Sequence, residues 1–463
     1  MMDFKMPGSV IGLPPAETAL LAELVGIFNE HQAANRKKDK YYEGHVTLND
    51  VNLGIALPDG LSGLEIGCAW GAKCVDVLAG RSMFDGFVGV NGEDADELNG
   101  IVAGNRLIGA YKRAVRDELK LGASFATLSR DAAVGCKIRF HSEETAAAKW
   151  NGDLDRIGAG MAIISAKKDE FDQVLRPTLV YLYTDTAIWA LRREGELWSA
   201  RYYPHRMGRP LMEPMIYDAT NQKPFGRSRL KAPVRHLIEG YIRTVANASI
   251  GLEFATSPQK YLLGVTDEQY ETLINEKFKQ YVGSILAATA NPETLQNPVF
   301  GQLAQGGIEP HVQMMRILST QFSAATGLSV TDTGVVNDAN PTSSDAILAQ
   351  TQTLVGMAEE LNTDNGEALR TIAQMALAIK NETTIDGLTD EQRDVVAHFK
   401  NPAMPSVSVT ADAAVKIAGA RPTFAQTDTF LEMLGFSQAD VRRIKAQEQR
   451  ARGLTVLEEL EAE

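Results

Sequence analysis

YKRAVRDELKLGASFATL, residues 111–128, holds the change of period on which the fold turns. In its first half Tyr111, Val115 and Leu119 recur every four residues, as along one face of a helix. Gly122 then reads as a helix stop, because glycine closes a last turn in a backbone conformation that other residues resist. From Ser124 the period is two, and it stays two to about Met215. Helices precede this boundary and strands follow it, which predicts an α+β fold.

Upstream, the helix containing Tyr111 spans roughly 94–120 and adds Leu98, Ile101, Val102, Leu107 and Ile108 to its apolar set. A first helix is predicted over 16–40, where Leu20, Leu21, Leu24, Val25 and Phe28 follow Pro14 and Pro15. It ends in Arg36-Lys37-Lys38-Asp39-Lys40, a basic run that suits a helix C-terminus. A loop-rich stretch at 44–63 and a helix from Trp70 to Arg81 lie between, with Val75, Leu78 and Ala79 facing inward.

Downstream, strands are predicted at Ser124–Leu128, Cys136–His141, Met161–Ala166, Thr178–Thr184, Ala187–Arg192 and Trp198–Tyr203, forming an antiparallel sheet. Pro204 to Gly226 reads as a connector. A long helix follows at 231–256, striped by Val234, Leu237, Ile238, Tyr241, Ile242 and Val245. Pro233 fits only near its start. Its charges are mostly basic: Arg229, Lys231, Arg235 and Arg243 against Glu239 and Glu253. Residues 257–309 read as an excursion with a strand at Lys260–Val265 and a helix near 267–279. Then come a helix at 310–327, with Val312, Met315, Leu318 and Phe322 inward, and a polar loop at 328–343. A second long helix, 343–380, is expected to be interrupted near Asn362–Gly366. A strand-like Ser406–Thr410 and helices at 411–418, 424–434 and 437–450 close the chain.

The 463 residues carry a net charge of −13, with 44% hydrophobic and 23% charged side chains. This composition suits several buried cores and argues against a surface that coats nucleic acid through lysine and arginine. Three cysteines, Cys68, Cys74 and Cys136, fit buried thiols in a reducing compartment. Neither they nor the scattered histidines give metal-ligand spacing, so no metal or cofactor is expected. The N-terminus lacks a signal-peptide pattern, and no apolar run approaches the ~18 residues of a membrane span.

Leu64-Glu65-Ile66-Gly67-Cys68-Ala69-Trp70-Gly71, with Glu93 downstream, is similar to the first motif of S-adenosylmethionine-dependent methyltransferases and supplies the alternative, enzymatic reading. Ala69 replaces the middle glycine, and the chain does not alternate strand and helix as a parallel sheet requires. A loop leading into the helix at Trp70 accounts for the same residues. No G-x-x-x-x-G-K-[ST] or G-x-S-x-G motif is present. Glu143-Glu144 and Asp153/Asp155 read as surface carboxylates in turns.

A series of fragments in order resembles the portal proteins of tailed double-stranded-DNA bacteriophages, in the branch common among phages of actinobacteria. They are Tyr41-Tyr42-Glu43-Gly44, Leu53-Gly54-Ile55-Ala56-Leu57-Pro58, Trp70 with Val75-Asp76, Leu78 and Arg81, Gly86-Phe87, and Asp117-Glu118 with Gly122-Ala123-Ser124-Phe125. Pro224-Phe225-Gly226-Arg227-Ser228, Ser257-Pro258-Gln259-Lys260-Tyr261, Gln321-Phe322, Ala325-Thr326-Gly327-Leu328, Asn340-Pro341-Thr342-Ser343-Ser344-Asp345-Ala346-Ile347 and Ala411-Asp412-Ala413 with Lys416 continue the series. The likeness covers roughly 40–420. It departs at Ser329-Val330, where the family often has an apolar residue and proline.

The resemblance implies a non-enzymatic ring of identical subunits, usually twelve, at one vertex of the virion capsid, assembled in the host cytoplasm. DNA would be packaged and ejected through its channel without sequence readout. The implied partners are the terminase large subunit, the head–tail adaptor, and the major capsid and scaffold proteins, with no membrane. The implied parts are a wing (1–226), a first stem helix (227–256), a clip (257–309), a second stem helix (310–327), a tunnel loop (328–343), a long wing helix with a return strand (344–410) and a crown (411–463). Val336, Asn337, Asp338, Asn340 and Thr342 would meet DNA in the channel. Lys231, Arg235 and Arg243 would form a basic stem face.

Overall fold

The computed structural model describes residues 4–5, 9–51, 63, 65–89, 95–168, 174–195, 197–256, 260–263, 299–302, 307–335, 344–403, 407–436 and 440–451. These residues make a mixed α/β chain of two units, one comprising 1–46, 67–238 and 321–463, the other 47–66 and 239–320. Among them no helix is long and apolar enough to cross a membrane.

The first unit opens with α1 (Pro15–Glu43), α2 (Trp70–Ala79), β1 (Phe84–Gly89), α3 (Asp96–Asn105) and α4 (Leu107–Leu121). Its strands β2 (Ala123–Asp131), β3 (Gly135–Ser142) and β9 (Met212–Ile216) form a sheet in the order β3-β2-β9. The strands β4 (Ala146–Asn151), β5 (Arg156–Lys168), β6 (Leu175–Tyr183), β7 (Ala187–Glu194) and β8 (Leu197–Pro204) form a second, consecutive meander. Every ladder between named strands is antiparallel. The apolar stripe of α1 (Leu21, Leu24, Val25, Phe28) packs on the inward residues of the meander, among them Met161, Val180, Leu182, Leu191 and Trp198.

Four expectations are corrected. The helix expected over 94–120 is two helices, broken at Arg106, which takes a left-handed backbone (φ 50°). Buried Asn105 holds the break: its Nδ2 donates to Cys136 O (2.9 Å) and its Oδ1 accepts from Ile138 N (3.0 Å), so its amide pairs with β3, an edge strand. The long helix α7 (Ser344–Lys380) runs without interruption through Asn362–Gly366. Asn365 directs its amide into the core rather than to its own backbone, and Gly366 lies against the Phe399 ring, so packing overrides weak helix propensity. Residues 407–410 belong to helix α9 (Val407–Ala420), and the late strand is instead β12 (Val395–Phe399), which pairs with β1. Gly86 and Phe87 therefore lie in a strand, where Gly86 (φ 134°) sits at a register shift. Finally, the expected connector 204–226 contains β9. A short helix, α8 (Asp390–Arg393), precedes β12, and α10 (Asp428–Met433) and a helix at 440–451 follow α9.

The chain leaves the first unit along α5 (Ala232–Thr256) and returns along α6 (Glu309–Thr326). Inside the second unit these helices approach closely. A Cβ on Gly240 would lie 3.1 Å from Leu318 Cδ2. A hairpin of β10 (Lys260–Leu263) and β11 (Val299–Gln302) completes its described part. The helix expected near 267–279 lies outside the described residues.

Candidate functional site

One cluster of long-range polar contacts in the first unit lies where the chain turns into α5 and where α6 ends. After β9 the backbone is pinned in steps: Tyr217 N donates to Gly122 O (2.9 Å), Arg227 N to Tyr217 O (2.9 Å) and Arg229 N to Leu119 O (2.9 Å). Gly226 takes φ 69°, and a Cβ there would lie 2.1 Å from Tyr217 O, so only glycine fits. Ser228 Oγ donates to Lys120 O (2.5 Å) and accepts from Leu230 N (2.9 Å).

This path drives Arg229 into the interior, at 4% exposure. Its Nε donates to Cys74 O (2.6 Å), its Nη2 to Thr326 O (2.6 Å) and its Nη1 to the Tyr217 hydroxyl (3.1 Å). The fixed fork of a guanidinium reaches three directions at once, which an ammonium does not. Thr326 is the last residue of α6, so the buried cation also meets the negative end of that helix. The Cys74 thiol lies 4.0 Å from Arg229 O. Burial pushes that thiol's pKa upward despite the neighbouring guanidinium. All three cysteines are free and buried.

The polar loop begins beside this junction. The Trp70 indole donates to Thr333 O (2.9 Å) and packs on Phe322 with ring centroids 4.7 Å apart. Residues 330–333 form one 3-10 turn capped by Ser329 and Asp332 in a reciprocal box. Val336, Asn337, Asp338, Asn340 and Thr342 lie outside the described residues.

The three cations expected on the stem face all have partners within the chain. Lys231 pairs with Asp218 (2.6 Å), which also pairs with Arg227 (3.0 Å). Arg235 Nη1 donates to Leu230 O (2.5 Å), with its guanidinium 5.9 Å from the Tyr41 ring centre. Arg243, in the second unit, donates to Val51 O (3.2 Å). Arg229, which the sequence shows only as one basic residue among several near α5, is the buried one. Burial of that kind depends on acceptors far along the chain, so no local signal marks it.

At the glycine motif, Gly71 lies in the first turn of α2, and a Cβ there would fall 2.0 Å from Tyr41 O. The glycine permits close contact between α1 and α2. Glu93 lies outside the described residues. Asp153 and Asp155 are exposed as expected, but Glu143 is buried, which corrects its reading as a surface carboxylate. Burial pushes its pKa to about 7, against the opposing pull of Lys38.

No protein-family model matches the sequence, and a search of curated proteins finds no match. Solved structures similar to the chain include a chain of the virion of the native gene transfer agent (GTA) particle, at 12% identity and TM-score 0.46, covering 79% of this chain and 89% of that one. A chain of the neck of the native GTA particle, computed with C12 symmetry, gives 13% identity and TM-score 0.44 over 79% and 89%. A chain of the neck of the empty GTA particle, computed with C6 symmetry, gives 11% identity and TM-score 0.47 over 79% and 90%.

Proposed function

We propose that the chain is a portal subunit of a tailed-phage-like virion, forming a ring through which double-stranded DNA is packaged and ejected. The reading begins from the ordered sequence fragments at 40–420. One structural observation carries it further: α5 leaves the first unit, 239–320 make a separate unit, and α6 returns to an anchored turn at 330–333 and the 37-residue helix α7. Two helices framing an inserted unit, followed by a loop and a long return helix, match the stem, clip, tunnel loop and wing helix of the resemblance. In this reading the second unit docks the terminase motor and later the head–tail adaptor, while the first contacts capsid and scaffold proteins.

A ring requires each copy to present two different complementary surfaces, and it closes when the rotation between copies divides a full turn evenly. The net charge of −13 suits a conduit, since DNA passes most easily where few cations hold its phosphates.

Negative-stain imaging of the purified chain tests the proposal. Rings with a central hole are expected. A monomer at every concentration overturns it.

A further inference from the structure

A cavity of about 540 Å³ in the first unit lies where α1, the turn after β3 and the 223–235 segment meet. Five cations line it: Lys38, Lys223, Arg227, Lys231 and Arg235, with Glu143 as its acidic residue. We propose that this cavity is an anion site that takes a phosphate group. The inference does not depend on the ring reading.

The charge balance carries the argument. Lys38 is held by neutral oxygens, Leu121 O (2.5 Å) and Asn35 Oδ1 (3.1 Å). Arg235 is likewise held by Leu230 O (2.5 Å). Arg227 and Lys231 share one carboxylate, Asp218. Lys223 is exposed at the rim. The positive charge at the cavity therefore exceeds its compensation, in a chain whose total is −13. The cavity also reaches Ala232, the first residue of α5, where helix dipoles favour an anion. Asn35, at 1% exposure, lies beside Glu143 and favours its charged form.

A phosphate carries close to two charges at neutral pH and three strong acceptor oxygens, so it matches a lysine and arginine cluster better than a single carboxylate does. Glu143 faces Lys38, and Lys38 faces both His31 on α1 and Arg235 on α5. An arriving anion favours the protonated form of Glu143, so phosphate binding takes up a proton there. His31, held below its usual pKa by burial and Lys38, is driven towards its charged form by the same anion. Both groups make binding tighter at lower pH.

The test is calorimetry and thermal shift on the full chain with inorganic phosphate, against sodium chloride at equal ionic strength. Saturable binding and stabilisation by phosphate beyond chloride are expected. An equal effect of the two salts overturns the proposal. The double variant Lys223→Glu, Lys231→Glu is expected to weaken phosphate binding about tenfold or more, while Arg201→Glu, on β8 and outside the cavity lining, leaves it unchanged. Unaltered binding in the double variant overturns the site. If that variant fails to fold, Glu143→Gln decides: it must tighten phosphate binding at pH 8, and no change there counts against the site. A short DNA duplex that competes with phosphate identifies a nucleic-acid backbone as the source of the group. A duplex that does not compete identifies free phosphate.

Discussion

Asn365 Nδ2 donates to Glu118 Oε2 at 3.0 Å, joining the middle of α7 to α4 at a point where neither side chain reaches solvent. The same Nδ2 reaches the Tyr111 hydroxyl (3.2 Å), which shares a hydrogen bond with Ser82 Oγ (2.7 Å). Burial raises the Glu118 pKa to about 8, against the opposing hydrogen bond from Asn365. The carboxyl is therefore mostly protonated at neutral pH inside the fold. Unfolded, it titrates near 4.5. Between those values the folded chain holds a proton that the unfolded chain has released. This contribution is intact below the unfolded pKa, and is lost as pH rises towards 8. Glu143 and Glu213, both raised to about 7 by burial, and Asp117, raised to about 6, act in the same direction. Denaturant unfolding is expected to show stability falling from pH 5 to pH 8. Glu118→Gln should remove a share on the order of 4 kcal/mol of that fall and be the more stable form at pH 8. An unchanged slope in the variant would contradict the buried protonated carboxyl.

Arg229 binds three oxygens from three separate segments, so truncating it leaves several buried acceptors unmet. Arg229→Met should cost about 2–4 kcal/mol in denaturant unfolding. Arg229→Lys should recover only part of this, because one ammonium cannot follow the fork to Cys74 O, Thr326 O and Tyr217 together. Full recovery by lysine would mean that charge, rather than geometry, holds the junction.

Two glycines predict opposite signs. At Gly226 a methyl group meets the Tyr217 carbonyl in a left-handed backbone, so Gly226→Ala should destabilise by about 1–3 kcal/mol. Gly251, within α5, has no atom within 4 Å of its ideal Cβ. Gly251→Ala should stabilise by about 0.5–1 kcal/mol through helix propensity. Paired melting curves check both.

The contrast between those sites explains what could be read in advance. Period and stop signals are local, so α1, α4 and most of the meander stand in the sequence, and so does the stop at Gly122. Asn105, Arg229, Glu143 and Asn365 do not. Each is a polar residue whose place depends on partners tens to hundreds of positions away, and polarity alone points such residues to the surface. The same cause hid β12: Val395–Phe399 is a short segment that becomes a strand by pairing with β1. The loop residues 336–343 stand apart, since their proposed role comes from the resemblance and not from any contact.

Trp70 is the tether of the polar loop's first turn. Trp70→Phe keeps the ring against Phe322 and removes the indole donor to Thr333 O. The expected cost is about 1 kcal/mol, with faster amide exchange at Val330–Thr333 than in the unaltered chain. Exchange that speeds up equally across α6 would instead indicate a general loss of packing.

The tunnel-loop assignment makes a prediction about salt. If Asn337 and Asp338 face passing DNA, then replacing both with arginine adds two cations and removes one carboxylate. Each new phosphate contact should steepen the dependence of log affinity on log salt by about 0.9. Asn337→Arg with Asp338→Arg should leave ring assembly intact, slow packaging at low salt, and regain the original rate as salt rises. Packaging assays across a salt series, with ring formation followed by imaging, separate the outcomes. Packaging unaffected at every salt concentration would remove these residues from the channel. Rings that no longer form would place them at a subunit contact instead.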